Sequence, residues 1–324
     1  MSERFDPERS LIIVNPQAAA GRVRRRWPAI EQALRTRLGA VPVVFTERPG
    51  HASELARDAV AAGCTHVLSL GGDGTNSEIV HGIMSAGPEP GAVCLGILPF
   101  GTGGDFRRAL DGFSDFDEAL GSLATAPERV VDVGALTFVD DDGVTRERFF
   151  LNLTSFGMGG LVDRIVNSSP KWLGGKASFY AGTVRALFRY RPMTVRLSVD
   201  GRDLGTHTIL SVFVGNARHA GGGMCLTPEA LLDDGLLDVV IVPELPLLRS
   251  LTSLGMLYKG THVAMPEVTS ARGARVEAEV ISGAEALLDV DGEAPGRLPC
   301  TITVRPGAIR VIGVRASLLG ADAS

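Results

Sequence analysis

Four short apolar runs in the first hundred residues, each followed by a break and most of them by a helix-period pattern, restrict this chain more than any other feature. Leu11–Asn15 is apolar, β-branched and short, as a strand buried on both faces must be. Arg22–Leu38 follows, with Trp27, Ile30, Leu34 and Leu38 at helical spacing. Val41–Thr46, Thr65–Leu70 and Cys94–Phe100 repeat the strand signal. His51–Ala62 and Asn76–Met84 repeat the helical one, and Gly63 closes the first of these as a C-cap. Strands alternating with helices imply a parallel sheet covered on both faces, whose ligands bind at the carboxyl ends of the strands.

The texture changes after Arg129. Strand-like runs then follow one another at Val130–Phe138, Arg148–Ser155, Thr194–Val199, Ile209–Gly215, Leu237–Val242, Val276–Ile281, Leu287–Val290, Thr301–Arg305 and Ile309–Val314. Asp140-Asp141-Asp142-Gly143 and Asp200-Gly201 are hairpin signals. Helical patterns interrupt near Lys176–Arg189 and Pro246–Tyr258. This predicts an antiparallel β domain, a sandwich, packed on the α/β part with a cleft between them. No long linker, repeat or low-complexity segment separates the two.

Composition removes several functions. The net charge of -5 argues against nucleic acid as a partner, since a phosphate backbone demands clustered positive charge. The opening MSERFDPERS carries no apolar run of the kind a secretory signal needs, and no stretch reaches the roughly 18 apolar residues of a membrane span. Cys64, Cys94, Cys225 and Cys300 are scattered and read as free thiols of a reducing compartment. No H-x-x-x-H pair suggests zinc. The only lysines are Lys171, Lys176 and Lys259, against 29 arginines. A Walker-A loop or a protein-kinase N-lobe in the first half would need an earlier lysine. Any phosphate there must be held by backbone N–H groups, arginine or metal.

Gly71-Gly72-Asp73-Gly74-Thr75 follows a buried strand and opens a helix. Its glycines let the backbone approach a bulky anion, and the helix N-terminus offers unpaired N–H groups. Thr75 adds a hydroxyl. Asp73 would repel phosphate unless a cation intervened, which makes it a candidate magnesium-network ligand. The structural alternative is a tight turn capped by Asp73. Asp291-Gly292-Glu293 is by its residues a hairpin turn. Leu231–Asp238 is either an acidic turn or a site of hard oxygen ligands. Lys171–Arg191 mixes aromatic and basic residues, as a membrane-surface helix or a packed helix with a solvated basic face would.

Asn15-Pro16 with Gly21, Gly71–Thr75 and Leu98-Pro99-Phe100-Gly101-Thr102-Gly103-Gly104-Asp105-Phe106 together resemble the diacylglycerol kinase catalytic family, which includes bacterial lipid kinases and is related to sphingosine kinases. The first glycine loop alone would be shared with NAD kinases, whereas the second separates lipid kinases from them. The likeness extends to Asn216, Asp234–Asp238 and Asp291-Gly292-Glu293. It implies an N-terminal NAD-kinase-like parallel α/β domain over residues 8–133, joined by 306–320, and a C-terminal antiparallel β-sandwich over 134–305, with the active site in the cleft between them.

By the same resemblance, ATP is held by Asn15, Thr46, Gly71, Gly72, Asp73, Gly74, Thr75, Asn76, Gly101, Thr102 and Asp105. Asp73, Asp105 and Asp132 form a water–magnesium network. Leu231, Asp234 and Leu236 form a second, structural Mg2+ site, the two leucines through their carbonyls. Glu293 is the catalytic base, accepting the proton of the attacking hydroxyl, with Asp73 its catalytic partner in the loop. Gly104 is a departure, since the family carries Asn there. The implied enzyme is a cytoplasmic, ATP- and Mg2+-dependent lipid kinase, visiting the membrane surface to phosphorylate a lipid such as diacylglycerol, with a homodimer left open. The other readings are an NAD-kinase-like enzyme of a soluble substrate and a catalytically silent nucleotide- or lipid-binding regulator.

Overall fold

The apolar run at Leu11 forms β1 (Ser10–Val14), almost wholly buried. The structure is a computed structural model and describes residues 5–100, 104–123, 125, 127–167, 175–283 and 285–312. Two compact units divide the chain: Met1–Asp132 with Pro306–Ser324, and Val133–Arg305.

In the first unit β2 (Val43–Phe45) and β3 (His66–Gly71) flank β1 in parallel, and β4 (Cys94–Pro99) lies parallel to β3. Residues 310–312 add a further parallel strand beside β4. Helices α1 (Ala18–Leu38), α2 (His51–Ala61), α3 (Asp73–Ser85), α4 (Asp105–Ala109) and α5 (Phe116–Ser122) complete the unit. The helical spacing read at Ile30, Leu34 and Leu38 is the buried stripe of α1, packed on Ile12, Val14 and Leu68. On the other helix pair, the Glu78 carboxylate of α3 accepts the amide of Ala52 at the start of α2. Ala19, Ala20 and Gly21 break the first turn of α1 with φ of +54°, +57° and +76°. Regular helix therefore begins at Arg22, where the apolar pattern begins. Left-handed backbone at two alanines costs on the order of 1 kcal/mol each and is concentrated beside Asn15 and Pro16.

α3 starts three residues earlier than the spacing after Asn76 suggests. Gly72 is extended (φ −116°, ψ −171°) and acts as N-cap, so Asp73 is already helical. The glycine loop is thus largely the first helical turn, and its amides are the unpaired N–H groups of a helix N-terminus.

In the second unit, Val133–Arg305, the strand pairings with a described register are antiparallel. Its strands are most of β5 (Arg129–Val139), then β6 (Thr145–Phe150), β7 (Leu153–Gly157), β8 (Met193–Val199), β9 (Arg202–Gly215), the short pair β10 (His219–Ala220) and β11 (Met224–Cys225), β12 (Leu237–Pro243), β13 (Thr269–Gly273), β14 (Arg275–Gly283), β15 (Leu288–Val290) and the first part of β16 (Arg297–Ile312), whose end is the parallel strand beside β4. The main order is β13-β12-β9-β8-β14-β16. β9 pairs with β8 through its first half and with β7 and β12 through its second. The core is aliphatic and aromatic, built on Phe150, Phe156, Val195, Leu197, Val212 and Val239. Helices α6 (Met158–Asn167), α7 (Gly175–Arg189) and α8 (Leu247–Lys259) share a smaller cluster around Met158, Ala186, Leu187 and Leu251.

The run Arg148–Ser155 is two strands rather than one. The chain turns a corner at Leu151-Asn152, between β6 and β7, because the amides of Leu151, Asn152 and Leu153 all bond to the Asp291 carboxylate. Three consecutive amides aimed at one side chain cannot continue a ladder.

Candidate active site

Parallel strands in register end in register, and this places the first set of residues. Beyond Val14, the Asn15 amide bonds to the Leu70 carbonyl at 3.0 Å, the Thr46 amide to Val14 at 2.9 Å and the Phe100 amide to Gly71 at 3.2 Å. Asn15, Thr46 and Gly71 therefore stand side by side at the carboxyl edge of the sheet. Asn15 Nδ2 donates to Thr75 Oγ1 at 3.0 Å, and its Oδ1 accepts from the Gln17 amide at 2.9 Å. Asn76 turns inward, where its Oδ1 accepts from Ser69 Oγ at 2.6 Å. Its side chain holds α3 on β3.

The glycines of the loop differ in what they do. A Cβ on Gly71 would lie 2.5 Å from Thr75 Oγ1, so the helix could not start where it does. A Cβ on Gly74 would meet nothing within 4 Å, and Gly74 is exposed. Gly71 is required by the fold. Gly74 leaves the helix N-terminus open to a ligand.

Asp73 does not cap α3, as the structural alternative would require. Its Oδ2 accepts the amides of Gly104 at 2.6 Å and Asp105 at 3.0 Å, tying the second glycine-rich loop to the first. Among the described residues its Oδ1 is buried with no hydrogen-bond partner. A buried carboxylate oxygen in that state calls for a water or a hard cation. Asp105, itself buried, pairs with Arg108 at 2.5 Å. Gly104 has φ +89° and ψ +40°. Asn is among the L-residues that best tolerate this left-handed region, so Gly in place of Asn keeps the backbone turn that delivers the Gly104 amide to Asp73. Gly101 and Thr102 lie outside the described residues.

Asp132 is buried and accepts the Gly307 amide at 2.7 Å. Nearby Arg310 pairs with Glu128 at 2.6 Å and donates to the carbonyls of Gly91 and Ala92. These contacts fasten the returning strand, which gives Asp132 a structural duty in this unit.

Glu293 belongs to the second unit. Val290 and Glu293 exchange both backbone hydrogen bonds, and Asp291 and Gly292 between them have φ of +50° and +90°. This is a two-residue type I′ hairpin, the turn that Asp-Gly favours. The Asp291 carboxylate accepts the amides of Leu151, Asn152 and Leu153 at 2.9–3.1 Å, while the Gly292 amide donates to Asp289 Oδ1 at 2.9 Å. Glu293 is thus carried on a rigid mount, half exposed, with Arg148 Nη2 2.6 Å from its Oε2. Asn216 closes the same corner by donating to the Leu151 carbonyl at 2.8 Å. Sequence reasoning misses Arg148, since nothing local separates it from the other arginines. It reaches Asp291 only as half of a turn signal.

Asp234 lies just before β12. Its Oδ1 accepts the Leu236 amide at 3.1 Å and its Oδ2 accepts Arg272 Nη2 at 2.5 Å. Arg272 Nε also reaches Asp238 at 3.2 Å, from the directly opposed position on β13. Burial pushes the Asp238 carboxyl above its ordinary value, against the pull of Arg272. Both oxygens of Asp234 accept a hydrogen bond here, one from the Leu236 amide and one from Arg272, so a metal ion at this loop would have to share the carboxylate with the guanidinium. The cation the structure shows at this loop is the Arg272 guanidinium.

Residues 9–136 match the family model described as the diacylglycerol kinase catalytic domain, and residues 152–313 that of the YegS C-terminal NAD kinase beta sandwich-like domain. The chain is 32% identical over 272 residues to a Stenotrophomonas maltophilia protein named "Probable lipid kinase YegS-like", covering 83% of this chain and 85% of that one. It is 30% identical over 265 residues to a Mycobacterium tuberculosis protein named "Diacylglycerol kinase", covering 82% of each. Among solved structures, a diacylglycerol kinase from Bacillus anthracis superposes with a TM-score of 0.70 at 21% identity, covering 96% of this chain and 98% of that one. Yeast NADH kinase follows the same fold more loosely, with a TM-score of 0.54 at 14% identity over 97% of this chain and 88% of the other.

Proposed function

Because the chain belongs to the diacylglycerol kinase family of lipid kinases, with a YegS-type second domain, we propose that it transfers the γ-phosphoryl group of ATP, with magnesium, to a lipid hydroxyl, diacylglycerol being the acceptor that would give phosphatidic acid. The observation that carries the nucleotide half of this reading is the Asp73 carboxylate, one oxygen fixed by the Gly104 and Asp105 amides and the other buried without a partner among the described residues. That oxygen fits a metal-bound water or the ion itself. Asp73 and Asp105 are the residues that would hold magnesium, which when bound neutralises charge on the phosphate oxygens.

The rest of the chemistry falls to the protein. The amides at the start of α3 and the Asn15–Thr75 pair cradle the phosphates without a lysine. Glu293 accepts the proton of the lipid hydroxyl as its oxygen bonds to the γ-phosphorus, while the bond from that phosphorus to the β–γ bridging oxygen breaks and ADP leaves. Arg148 holds the Glu293 carboxylate in one orientation. The acceptor lives in a bilayer, and on this reading the enzyme visits that surface from the cytoplasmic side; among the described residues no helix is long and apolar enough to cross a membrane.

The test is transfer from radiolabelled ATP to a total lipid extract, with identification of the labelled product and NAD as a parallel acceptor. A labelled phospholipid is expected. Label in NAD alone, or ATP binding with no transfer to any acceptor, would overturn the proposal.

A further inference from the structure

We infer that the adjoining ends of α7 and α8 form a landing face for an anionic bilayer; the inference deepens the lipid-kinase reading and rests on it for the choice of partner. Leu248 is 75% exposed, Phe188 64% and Leu247 42%, the first and last at the start of α8 and Phe188 one residue before the end of α7. The helix ends that carry them meet. Leu187 and Leu247 line one open groove of about 430 Å³, with Tyr190, Leu210, Leu245 and Glu244. Leu187 and Leu251 pack in the same cluster. Single exposed apolar side chains are ordinary, whereas three large ones on two adjoining helix ends, Leu247 among the residues lining the groove, mark a surface that something covers.

Charge selects the occupant. Arg185, Phe188 and Arg189 stand at i, i+3 and i+4 on α7 and so share a face, and Arg191 follows the helix. All three arginines are exposed and none forms an ion pair among the described residues. Arg249, by contrast, is taken up by Glu267 at 2.7 Å. One carboxylate, Glu244, faces the groove. On a chain of net charge -5, an anionic leaflet is repelled by the average surface and attracted by this one. A second copy of the chain fits badly, since a two-fold contact would set the same three arginines against each other. Apolar side chains flanked by cations match the acyl boundary and the headgroup phosphates of a bilayer.

Co-sedimentation of the full chain with phosphatidylcholine vesicles, with and without phosphatidylglycerol, tests the inference. The native protein is expected to partition onto the anionic vesicles. Replacing Arg185, Arg189 and Arg191 together by Gln lowers that partition roughly fivefold per arginine, about a hundredfold in all. Replacing Phe188 and Leu248 by Glu lowers it at least about tenfold. Both variants keep native ATP binding and thermal midpoint, since none of these residues touches the phosphate loop or Glu293. Equal partition of the native and triple-arginine proteins, or no preference for phosphatidylglycerol, would overturn the inference. So would a native dimer in gel filtration that Leu248→Glu splits. Sedimentation needs no turnover, so vesicle binding without phosphorylation of any lipid would sink the kinase proposal and leave the face standing.

Discussion

Arg148 Nη2 lies 2.6 Å from Glu293 Oε2, and the two residues are 145 positions apart in sequence. Glu293 ends a type I′ hairpin whose Asp291 carboxylate is bonded to the corner at Leu151-Asn152, and Arg148 belongs to β6, the strand that runs into that corner. The carboxylate is therefore aimed by the fold from two sides. Arg148→Gln is expected to lower kcat by about tenfold with little change in KM for ATP, and Arg148→Lys to restore part of it. Steady-state kinetics with ATP varied checks this. A change confined to KM for ATP would mean that Arg148 serves the nucleotide instead.

The two outer glycines of the first loop separate folding from binding. Gly71→Ala places a Cβ 2.5 Å from Thr75 Oγ1 and should cost about 1–3 kcal/mol of stability, as overpacking at a fixed backbone does. Gly74→Ala meets open space and should leave the thermal midpoint within about 1 °C, or gain slightly. It should weaken ATP by at least about tenfold, because the added methyl stands where phosphate approaches the helix N-terminus. Thermal melts and nucleotide titration of both variants decide the matter. Equal ATP affinity in Gly74→Ala and the native protein would move the phosphates elsewhere.

Asp73→Ala removes the acceptor of two backbone amides as well as a candidate magnesium-network carboxylate. Leaving the Gly104 and Asp105 amides unpaired should lower stability by about 1–3 kcal/mol, while transfer falls by at least about a hundredfold. Asp73→Asn keeps an acceptor oxygen for the amides but not the charge. It should recover most of the stability and little of the activity, measured by melting and by phosphate transfer. Recovery of activity in step with stability would reduce Asp73 to a loop tie.

Arg272 predicts a pH dependence. Burial raises the Asp238 pKa, and Arg272 opposes the rise. An acid with a raised folded pKa holds its proton more tightly when folded, so its contribution to stability is lost as pH climbs from the ordinary aspartate value through the raised one. Removing Arg272 enlarges that loss. Arg272→Ala should cost about 1–2 kcal/mol at neutral pH, below the value for a fully buried pair because the guanidinium is 38% exposed, and less near pH 4, about where aspartate ordinarily titrates. Denaturant unfolding at both pH values measures it. A cost that is equal or larger at acid pH contradicts the account, and so does a large stabilisation of the native protein by magnesium at this loop.

What the sequence discloses depends on range. The parallel strands and the start of α1 at Arg22 were legible because β-branched runs and helical spacing are local signals. The glycine loops were legible because close approach to an anion leaves few alternatives to glycine. The corner at Leu151-Asn152 was not, since its cause, Asp291, is 140 residues away from Leu151. The early start of α3 was hidden because Gly72 and Asp73 look like loop residues until the Asp73 side chain is seen to bond across to the second loop. Arg148 and Arg272 were invisible for a like reason: Glu293 reaches Arg148 through the hairpin that Asp291 ties to the distant corner, and Asp238 reaches Arg272 through the β12–β13 pairing, and no local pattern reports either.

Glu293→Gln tests the central claim most directly, with ATP binding and lipid phosphorylation measured on the same preparation. Gln keeps the shape and a hydrogen bond to Arg148 but cannot take up the hydroxyl proton. The account predicts native ATP affinity, a native thermal midpoint and phosphate transfer reduced by a factor on the order of 100 to 10,000. Transfer at the native rate in this variant would show that Glu293 is not the base.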